Sequence, residues 1–418
     1  MVTKFNNIFG VLEQIIVSGG NFIFAILLSK MLTPSDFGIY SLVWVAIISV
    51  ASFFNSWFSS PMLSISPSLS QSNSDHFISI LTKKIMLTQL VILFLSLLIF
   101  KFGGQFFRPE IFFLVMSCVP FFLYDFLRRV AIVKREIKHL VVVNVFLYFS
   151  LIISFLYLYD GEVQTIGIII FLSYLFSSIA LLIVYQPLSK VYSDTIKLEN
   201  SEFTSIWPRH LSFAKWASYS SVLQFITGNA VFLFSSALLS LSDVGLLRLA
   251  QTFVSIFNPI LVFLDNHSRV YFATILKVSG LNKLNNYFKA FVFKSMLSCM
   301  AICLIMGVLG QHLIDYFYPE YLETQLKNYS LLYIILTFFT VTTSILRLRL
   351  LILEHVKLIF RAYVFSSVIS IAVFYPMILM FGAHGVILVL ITTQIVMSFL
   401  IIFLRKLEIS PVNVGFLK

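Results

Sequence analysis

Twelve stretches of about 20 predominantly apolar residues recur along the 418-residue chain, and no polar segment between them is long enough to fold alone. A helix crossing the hydrocarbon core of a bilayer needs roughly 20 such residues. The stretches lie near 8–30, 38–60, 85–103, 110–132, 140–159, 165–186, 213–238, 244–264, 291–311, 328–350, 359–380 and 385–404. They predict an all-α, polytopic integral membrane protein. Composition decides against a soluble fold: 11% of residues are charged and 59% hydrophobic, whereas soluble domains carry about 25% charged residues.

The net charge of +11 would suggest nucleic acid in a soluble protein, but its distribution points elsewhere. With the N-terminus inside, the odd-numbered connections face out and the even ones face in. The outward set holds Lys30, Lys101, Arg108, Arg248 and Lys327, five of the 29 Lys and Arg. The rest fall on the N-terminus, the inward connections with their helix ends, and the C-terminus. That bias is the positive-inside rule, and it predicts both termini in the cytoplasm. An even number of spans preserves the alternation. The basic charge reports orientation, so nucleic acid is not an expected partner.

Cys118, Cys299 and Cys303 all lie inside apolar spans. Cys299 and Cys303 share a helix face, but no His or acidic neighbour completes a metal set, so they read as packing residues and no metal site is expected. Ser18-Gly19-Gly20 imitates a signal cleavage site. Glu13 interrupts the preceding run and the apolar pattern continues to Leu32, which predicts an uncleaved first helix.

The chain is internally duplicated. Leu32-Thr33-Pro34-Ser35-Asp36-Phe37-Gly38 recurs as Leu239-Ser240-Leu241-Ser242-Asp243-Val244-Gly245. Arg129, Glu136 and Gly167 recur as Arg347, Glu354 and Gly385 at one constant offset, and Phe107-Arg108-Pro109-Glu110 resembles Phe317-Tyr318-Pro319-Glu320. Each half therefore carries six helices, and an even number makes the halves parallel repeats. The expected organisation is an N-terminal lobe (1–186), a polar cytoplasmic linker (187–212), a C-terminal lobe (213–404) and a cytoplasmic tail (405–418). In the first repeated element, Thr33 and Ser240 are placed to N-cap the next helix, with Asp36 and Asp243 at its third position.

Polar side chains inside spans are functional candidates, because a midspan charge costs roughly 2.5–3.5 kcal/mol on insertion scales. Helix eight carries Arg248, Gln251, Ser255 and Asn258, then Asp265, on a single face, with Pro259 bending it. Helix one carries Asn6, Gly10, Glu13 and Gly20, with Gln14, Ser18 and Asn21 alongside; helix two carries Ser52, Asn55, Ser56 and Ser59; helix seven carries Ser221, Gln224 and Gly228. These equivalent helices are expected to line a central polar cavity. Arg248, Gln251, Ser255, Asn258, Gln224 and Asn55 are the candidate substrate contacts, and Glu13 and Asp265 the candidate coupling residues. The competing reading is packing: helix ten has a similar stripe, Thr337, Thr340, Ser344 and Arg347, and Arg248 and Lys30 are near enough to the outer surface to snorkel. Asp125 is spaced to pair with Arg128 or Arg129, and that cluster reads as an inner helix end.

Leu32 to Tyr40, Tyr318-Pro319-Glu320-Tyr321 and Phe381-Gly382-Ala383-His384-Gly385-Val386 resemble the polysaccharide exporters of the multidrug/oligosaccharidyl-lipid/polysaccharide (MOP) superfamily. In length and layout the chain is most similar to Wzx-type O-antigen flippases. The resemblance implies a twelve-helix, two-lobe alternating-access transporter of the bacterial inner membrane. It also implies a substrate of undecaprenyl-pyrophosphate carrying a short oligosaccharide, flipped to the periplasmic leaflet. No cofactor is implied beyond a proton or sodium as coupling ion; membrane lipids, polysaccharide polymerase and chain-length machinery are the implied partners. Arg suits a pyrophosphate because its planar fork makes charge-assisted hydrogen bonds, and Tyr40, Trp44 and Trp57 are aromatic candidates for sugar contact.

Two other classes stay open. A cation-coupled multidrug antiporter shares the superfamily fold. A membrane polymerase or glycosyltransferase would present a large external loop or an acidic cluster, and Asp160 with Glu162 is the tight outward acidic pair on its loop. A major-facilitator carrier also has six-plus-six helices, but residues 61–84 lack its basic glycine-aspartate signature. The charge asymmetry makes a direct prediction: reporter fusions after Asp194 and Lys418 read as cytoplasmic and one after Asp160 as external, and a periplasmic reading at Asp194 or Lys418 would overturn the twelve-span topology.

Overall fold

In the bilayer core no water is available to bond backbone N–H and C=O groups, so each spanning segment must satisfy them internally, which helices do. The computed structural model describes residues 2–32, 34–103, 109–185, 200–235, 237–254, 261, 264–317 and 325–408. Every regular element among them is helical. The first half runs through α1 (Val2–Met31), α2 (Pro34–Phe54), a π-helical turn (Asn55–Ser59), α3 (Ser60–Ile65) and α4 (Gln71–Gly103). It continues with α5 (Pro109–Met116), α6 (Cys118–Lys134), α7 (Ile137–Leu158) and α8 (Val163–Tyr185). The second half contains α9 (Asn200–Thr227), α10 (Asn229–Ser235), α11 (Leu241–Val254), a second π-helical turn (Leu264–Ser268) and α12 (Arg269–Phe317). It ends with α13 (Leu326–Ile352), α14 (Val356–Phe381) and α15 (Ala383–Glu408).

Nine helical runs among the described residues are long and apolar enough to cross a membrane. The other three expected stretches fall where the helix is interrupted or only partly described. Residues 110–132 are α5 and α6, broken at Ser117; 213–238 are largely α9 and α10, broken at Gly228; 244–264 run through positions outside the described residues. Within α12, Gly280 takes φ +75° and breaks the helix into two. Large apolar side chains point outward, with Phe149 64% and Phe293 71% exposed. Surface of that kind belongs against lipid tails rather than water.

Two compact units emerge, Met1–Lys215 and Trp216–Lys418. In the first, α6 and α7 both pack on α8; in the second, α13 and α14 both pack on α15. The expected linker 187–212 is helical over its described part, because α9 begins at Asn200. Trp207 and His210 of that helix pack on Phe77 of α4, with ring centroids 6.0 and 5.6 Å away, and Lys84 lies 3.8 Å over the Trp207 ring. The first turns of α9 therefore belong to the N-terminal unit.

Three features repeat between the units. A π turn stands at a corresponding place in each unit, directly before α3 in the first and α12 in the second, and π turns mark places where a helix gives up regular bonding for local geometry. Phe9 sits under Lys138 at 5.7 Å, as Trp216 sits under Lys357 at 5.5 Å. Among the described residues, Arg135 and Glu354 are the two non-glycine residues in the left-handed conformation, each at φ 60°, and each ends one helix just before the next begins. These anchors correct the sequence register by one residue: the counterpart of Arg347 is Arg128, where the sequence match had paired it with Arg129. Helix entry is described in the second half, where the Ser240 hydroxyl donates to Asp243 Oδ2 at 2.7 Å and accepts the Asp243 amide at 3.1 Å, capping the helix as expected; Thr33 lies outside the described residues.

Gly167 and Gly385, matched by sequence, both sit where a methyl group would collide with backbone, but against different neighbours. A Cβ on Gly167 would lie 2.5 Å from Leu114 N, and one on Gly385 2.2 Å from Met377 O. Gly385→Ala should lose about 1–3 kcal/mol from overpacking, read as a lower melting temperature in detergent. Gly307→Ala, where nothing lies within 4 Å, should melt like the wild type; equal melting of the two variants would refute this close approach.

Candidate functional site

The most heavily bonded polar group in the N-terminal unit is Glu13, whose residue is 0% exposed. Arg128 reaches from α6 and donates from Nε to Glu13 Oε1 at 2.6 Å and from Nη2 to Oε2 at 3.3 Å. The same Nη2 donates to Gln14 Oε1 at 2.8 Å. Asn144 of α7 donates to Glu13 Oε1 at 2.9 Å, and Tyr124 donates to Asn144 Oδ1 at 2.5 Å. α1 approaches α7 at Gly20, where a Cβ would lie 2.2 Å from the Tyr148 ring. The result is one carboxylate and one guanidinium, mutually neutralised and enclosed by amides and a phenol.

This corrects two expectations. Glu13 does not face a hydrated cavity; it is locked in a buried ion pair. Arg128 is not a mark of an inner helix end; Arg129 is the one that pairs with Asp125, at 2.8 Å. Sequence reading missed the network because Glu13 on α1 is 115 residues from Arg128 and 131 from Asn144. The available signal was a midspan Glu, which must find a cation, and an Arg one turn from Tyr124.

The C-terminal unit is built differently. The Arg248 guanidinium lies 4.4 Å over the Phe232 ring and donates to Gln251 Oε1 at 2.9 Å. No carboxylate among the described residues pairs with it. Tyr333 of α13 is close enough to feel its charge, and the Tyr333 hydroxyl is buried without a hydrogen-bond partner. A cation lacking a counter-ion, beside a hydroxyl lacking an acceptor, is suited to an anion that brings both. Arg248 and Gln251 are thus brought together as expected, while Ser255 and Asn258 lie outside the described residues. Gln224 is exposed on α9, and Asn55 accepts from the Ser59 hydroxyl at 3.3 Å within the first π turn.

Asp265 is the second residue of the second π turn. It accepts from Arg269 Nη2 at 2.6 Å, and its side chain is 43% exposed against 2% for Arg269. The helix-ten stripe divides by chemistry: the Thr337 and Thr340 hydroxyls donate to the carbonyls of Tyr333 and Leu336, both at 2.9 Å, whereas Arg347 donates to the Tyr363 hydroxyl at 2.9 Å. Threonines bonded to their own helix are packing residues. Tyr40 and Trp44 stack on each other at 6.0 Å, and Trp44 packs on Phe121 at 5.4 Å, so both rings are engaged within the unit. Among the described residues no three His, Cys, Asp or Glu side chains gather closely enough to hold a metal ion.

No protein-family model and no curated protein matches the sequence. Solved structures do match in shape. An outward-facing multidrug resistance MATE family transporter of the MOP superfamily superposes with a TM-score of 0.74 at 13% identity, covering 97% of this chain and 94% of that one. A MOP superfamily transporter of Pyrococcus furiosus, described by a binding pocket of reversed polarity and a suggested different function, gives 0.69 at 14% identity, with 96% and 93% covered. A MATE transporter of Vibrio cholerae gives 0.70 at 11% identity, with 96% and 95% covered. The chain has the polytopic fold of this superfamily over essentially its whole length.

Removing one partner of a buried ion pair strands the other charge, at a cost of about 3–5 kcal/mol, while removing both can be nearly neutral. Glu13→Gln should therefore lower the melting temperature and membrane abundance sharply. The double variant Glu13→Gln/Arg128→Gln should recover most of both. A single variant as stable as the wild type would show that the pair does not hold the unit together.

Proposed function

We propose that the chain is a transporter, not an enzyme. In this reading it flips an undecaprenyl-pyrophosphate-linked oligosaccharide, an O-antigen or related repeat unit, from the cytoplasmic to the periplasmic leaflet of a bacterial inner membrane. Alternating access is the mechanism. The observation carrying this reading is Arg248, a guanidinium within a membrane protein with no carboxylate partner among the described residues, beside the unpartnered Tyr333 hydroxyl. A pyrophosphate offers acceptor oxygens and negative charge to both, and the guanidinium fork matches its geometry. The Phe232 ring beneath the guanidinium holds it by cation–π attraction without neutralising it. Membrane lipids, and the polymerase and chain-length machinery that would take the flipped product, are the partners this function requires.

Glu13 fits poorly as a coupling residue, since Arg128 and Asn144 already saturate its carboxylate. Asp265, with its side chain 43% exposed, is the acidic candidate accessible to a coupling proton or sodium ion. The enzyme alternative loses its candidate acidic pair in part, because Asp160 is used in a turn. Its carboxylate accepts from the Thr165 hydroxyl at 2.7 Å and the Glu162 amide at 3.2 Å, and these bonds hold it below the usual carboxylate range.

A second reading, a cation-coupled multidrug antiporter, is favoured by the MATE transporters among the structural neighbours. A site for organic cations would be expected to offer free acidic groups, whereas Arg248 offers positive charge. The two readings separate in one strain. Deleting the gene should cause lipid-linked oligosaccharide to accumulate on the inner leaflet, with drug sensitivity unchanged. Arg248→Ala at matched membrane abundance should restore little export, and Arg248→Lys should restore part of it. A desolvated charge-assisted contact is worth about 1.5–3 kcal/mol, or roughly tenfold to a hundredfold in binding. Wild-type export by Arg248→Ala would sink the assignment of Arg248, and drug accumulation without a lipid-linked intermediate would favour the antiporter.

A further inference from the structure

The corrected repeat register sets Arg347 against Arg128, and the two arginines live in different surroundings. The Lys138–Phe9 and Lys357–Trp216 contacts pair α7 with α14 and α1 with α9. Stepping along these pairs, Tyr363 stands where Asn144 does, and Ser220 stands where Glu13 does. The carboxylate that neutralises Arg128 is thus replaced by a serine, whose hydroxyl donates to its own helix at Trp216 O, 2.8 Å away. Thr227 takes the place of Gly20, the residue that lets α1 press on Tyr148. In the second unit the Trp216 and Phe360 rings, 5.1 Å apart, stand between α9 and α14.

Arg347 is left with one hydrogen bond, to the Tyr363 hydroxyl at 2.9 Å, and with no ion pair among the described residues. Asp265 is near enough to act on it electrostatically, but the Asp265 carboxylate is bonded to Arg269 at 2.6 Å. Asp265 thus acts on two guanidinium groups and is bonded to Arg269 rather than to Arg347. A second feature points to a missing acceptor or donor: Ser367, one helical turn from Tyr363 on α14, is 4% exposed and its hydroxyl has no partner.

We propose that Arg347 is a second anion-binding residue of the C-terminal unit, the duplicated counterpart of Arg128 that has lost its internal carboxylate and takes the phosphate of a lipid-borne head group instead. The proposal rests on the flippase reading for the class of anion, and on the repeat geometry for the residue. On α13, Tyr333 and Arg347 are 14 residues apart. At a rise of 1.5 Å and 3.6 residues per turn they lie on nearly the same helix face, about 21 Å apart along its axis. One unit thus offers a phosphate two stations along one helix, Arg248 with Tyr333 and Arg347 with Tyr363. An anion passing between them exchanges one guanidinium for another. A single very tight site would instead hold it.

The test uses the full-length protein in nanodiscs and inorganic pyrophosphate as probe, with binding read by calorimetry. In the Arg248→Ala background, pyrophosphate should still bind, and adding Arg347→Gln should weaken that residual binding at least tenfold. Adding Arg347→Lys instead should weaken it less, because charge remains while the fork is lost, and this variant serves if the glutamine variant does not fold. Replacing phosphatidylcholine by phosphatidic acid in the discs should weaken the residual binding through competition. Residual binding indifferent to Arg347, or no residual binding after Arg248→Ala alone, would overturn the second station while leaving the flippase reading intact. Pyrophosphate affinity unchanged by phosphatidic acid would assign the site to a free anion and overturn its lipid-borne occupant. Export assays in the deletion strain test the flippase reading separately.

Discussion

A bilayer withholds water, and any polar group carried into it must be satisfied by the protein itself or by what the protein binds. The backbone meets that demand by becoming helical almost everywhere. Serine and threonine hydroxyls meet it by bonding carbonyls one turn back, as Thr82 does to Ile78 and Thr393 to Val389. Glu13 meets it with Arg128, Gln14 lies against the same guanidinium, and Asn144 and Tyr124 close the remaining valences. In the C-terminal unit Arg248 and Arg347 are cations without a carboxylate among the described residues, and the Tyr333 and Ser367 hydroxyls are among the buried groups without a partner.

Duplication makes the comparison quantitative within a single chain. Both units keep the lysine over an aromatic ring, the left-handed residue between consecutive helices and the π turn at a corresponding place. Those are features of folding. What diverges is the charge beside the paired arginines, Glu13 in one unit and Ser220 in the other. A buried arginine with its carboxylate acts as a fixed brace; the same arginine without it has free bonding capacity. The two units share these features and differ in whether the arginine has its carboxylate, which makes a duplicated scaffold asymmetric in charge.

The superfamily fold by itself is silent on cargo, since one architecture hosts transporters of different chemistry. Structural neighbours at 11–14% identity carry the fold and no more. Side chains are what favour the proposed anionic, lipid-linked cargo: in the C-terminal unit Arg248 has no carboxylate partner among the described residues, and in the N-terminal one Glu13 is compensated by Arg128. The alternative cargo, an organic cation, would need the opposite arrangement.

The sequence by itself determined a polytopic helical fold, its duplication and the placement of Arg248 and Gln251 on one helix face, because hydropathy, repeats and helical spacing are local properties of the chain. It also supplied Glu13 as a charge requiring explanation. It did not reveal which cation answers it. Arg128 is 115 positions away, and only the packing of α1 against α7 and α6 brings the two within 2.6 Å. The same holds for the repeat register: sequence matched Arg347 to Arg129, and the left-handed turns at Arg135 and Glu354 moved the match to Arg128. Whether a charge inside a membrane protein is a brace or a binding group depends on its partner, and partners from distant helices are chosen by tertiary packing.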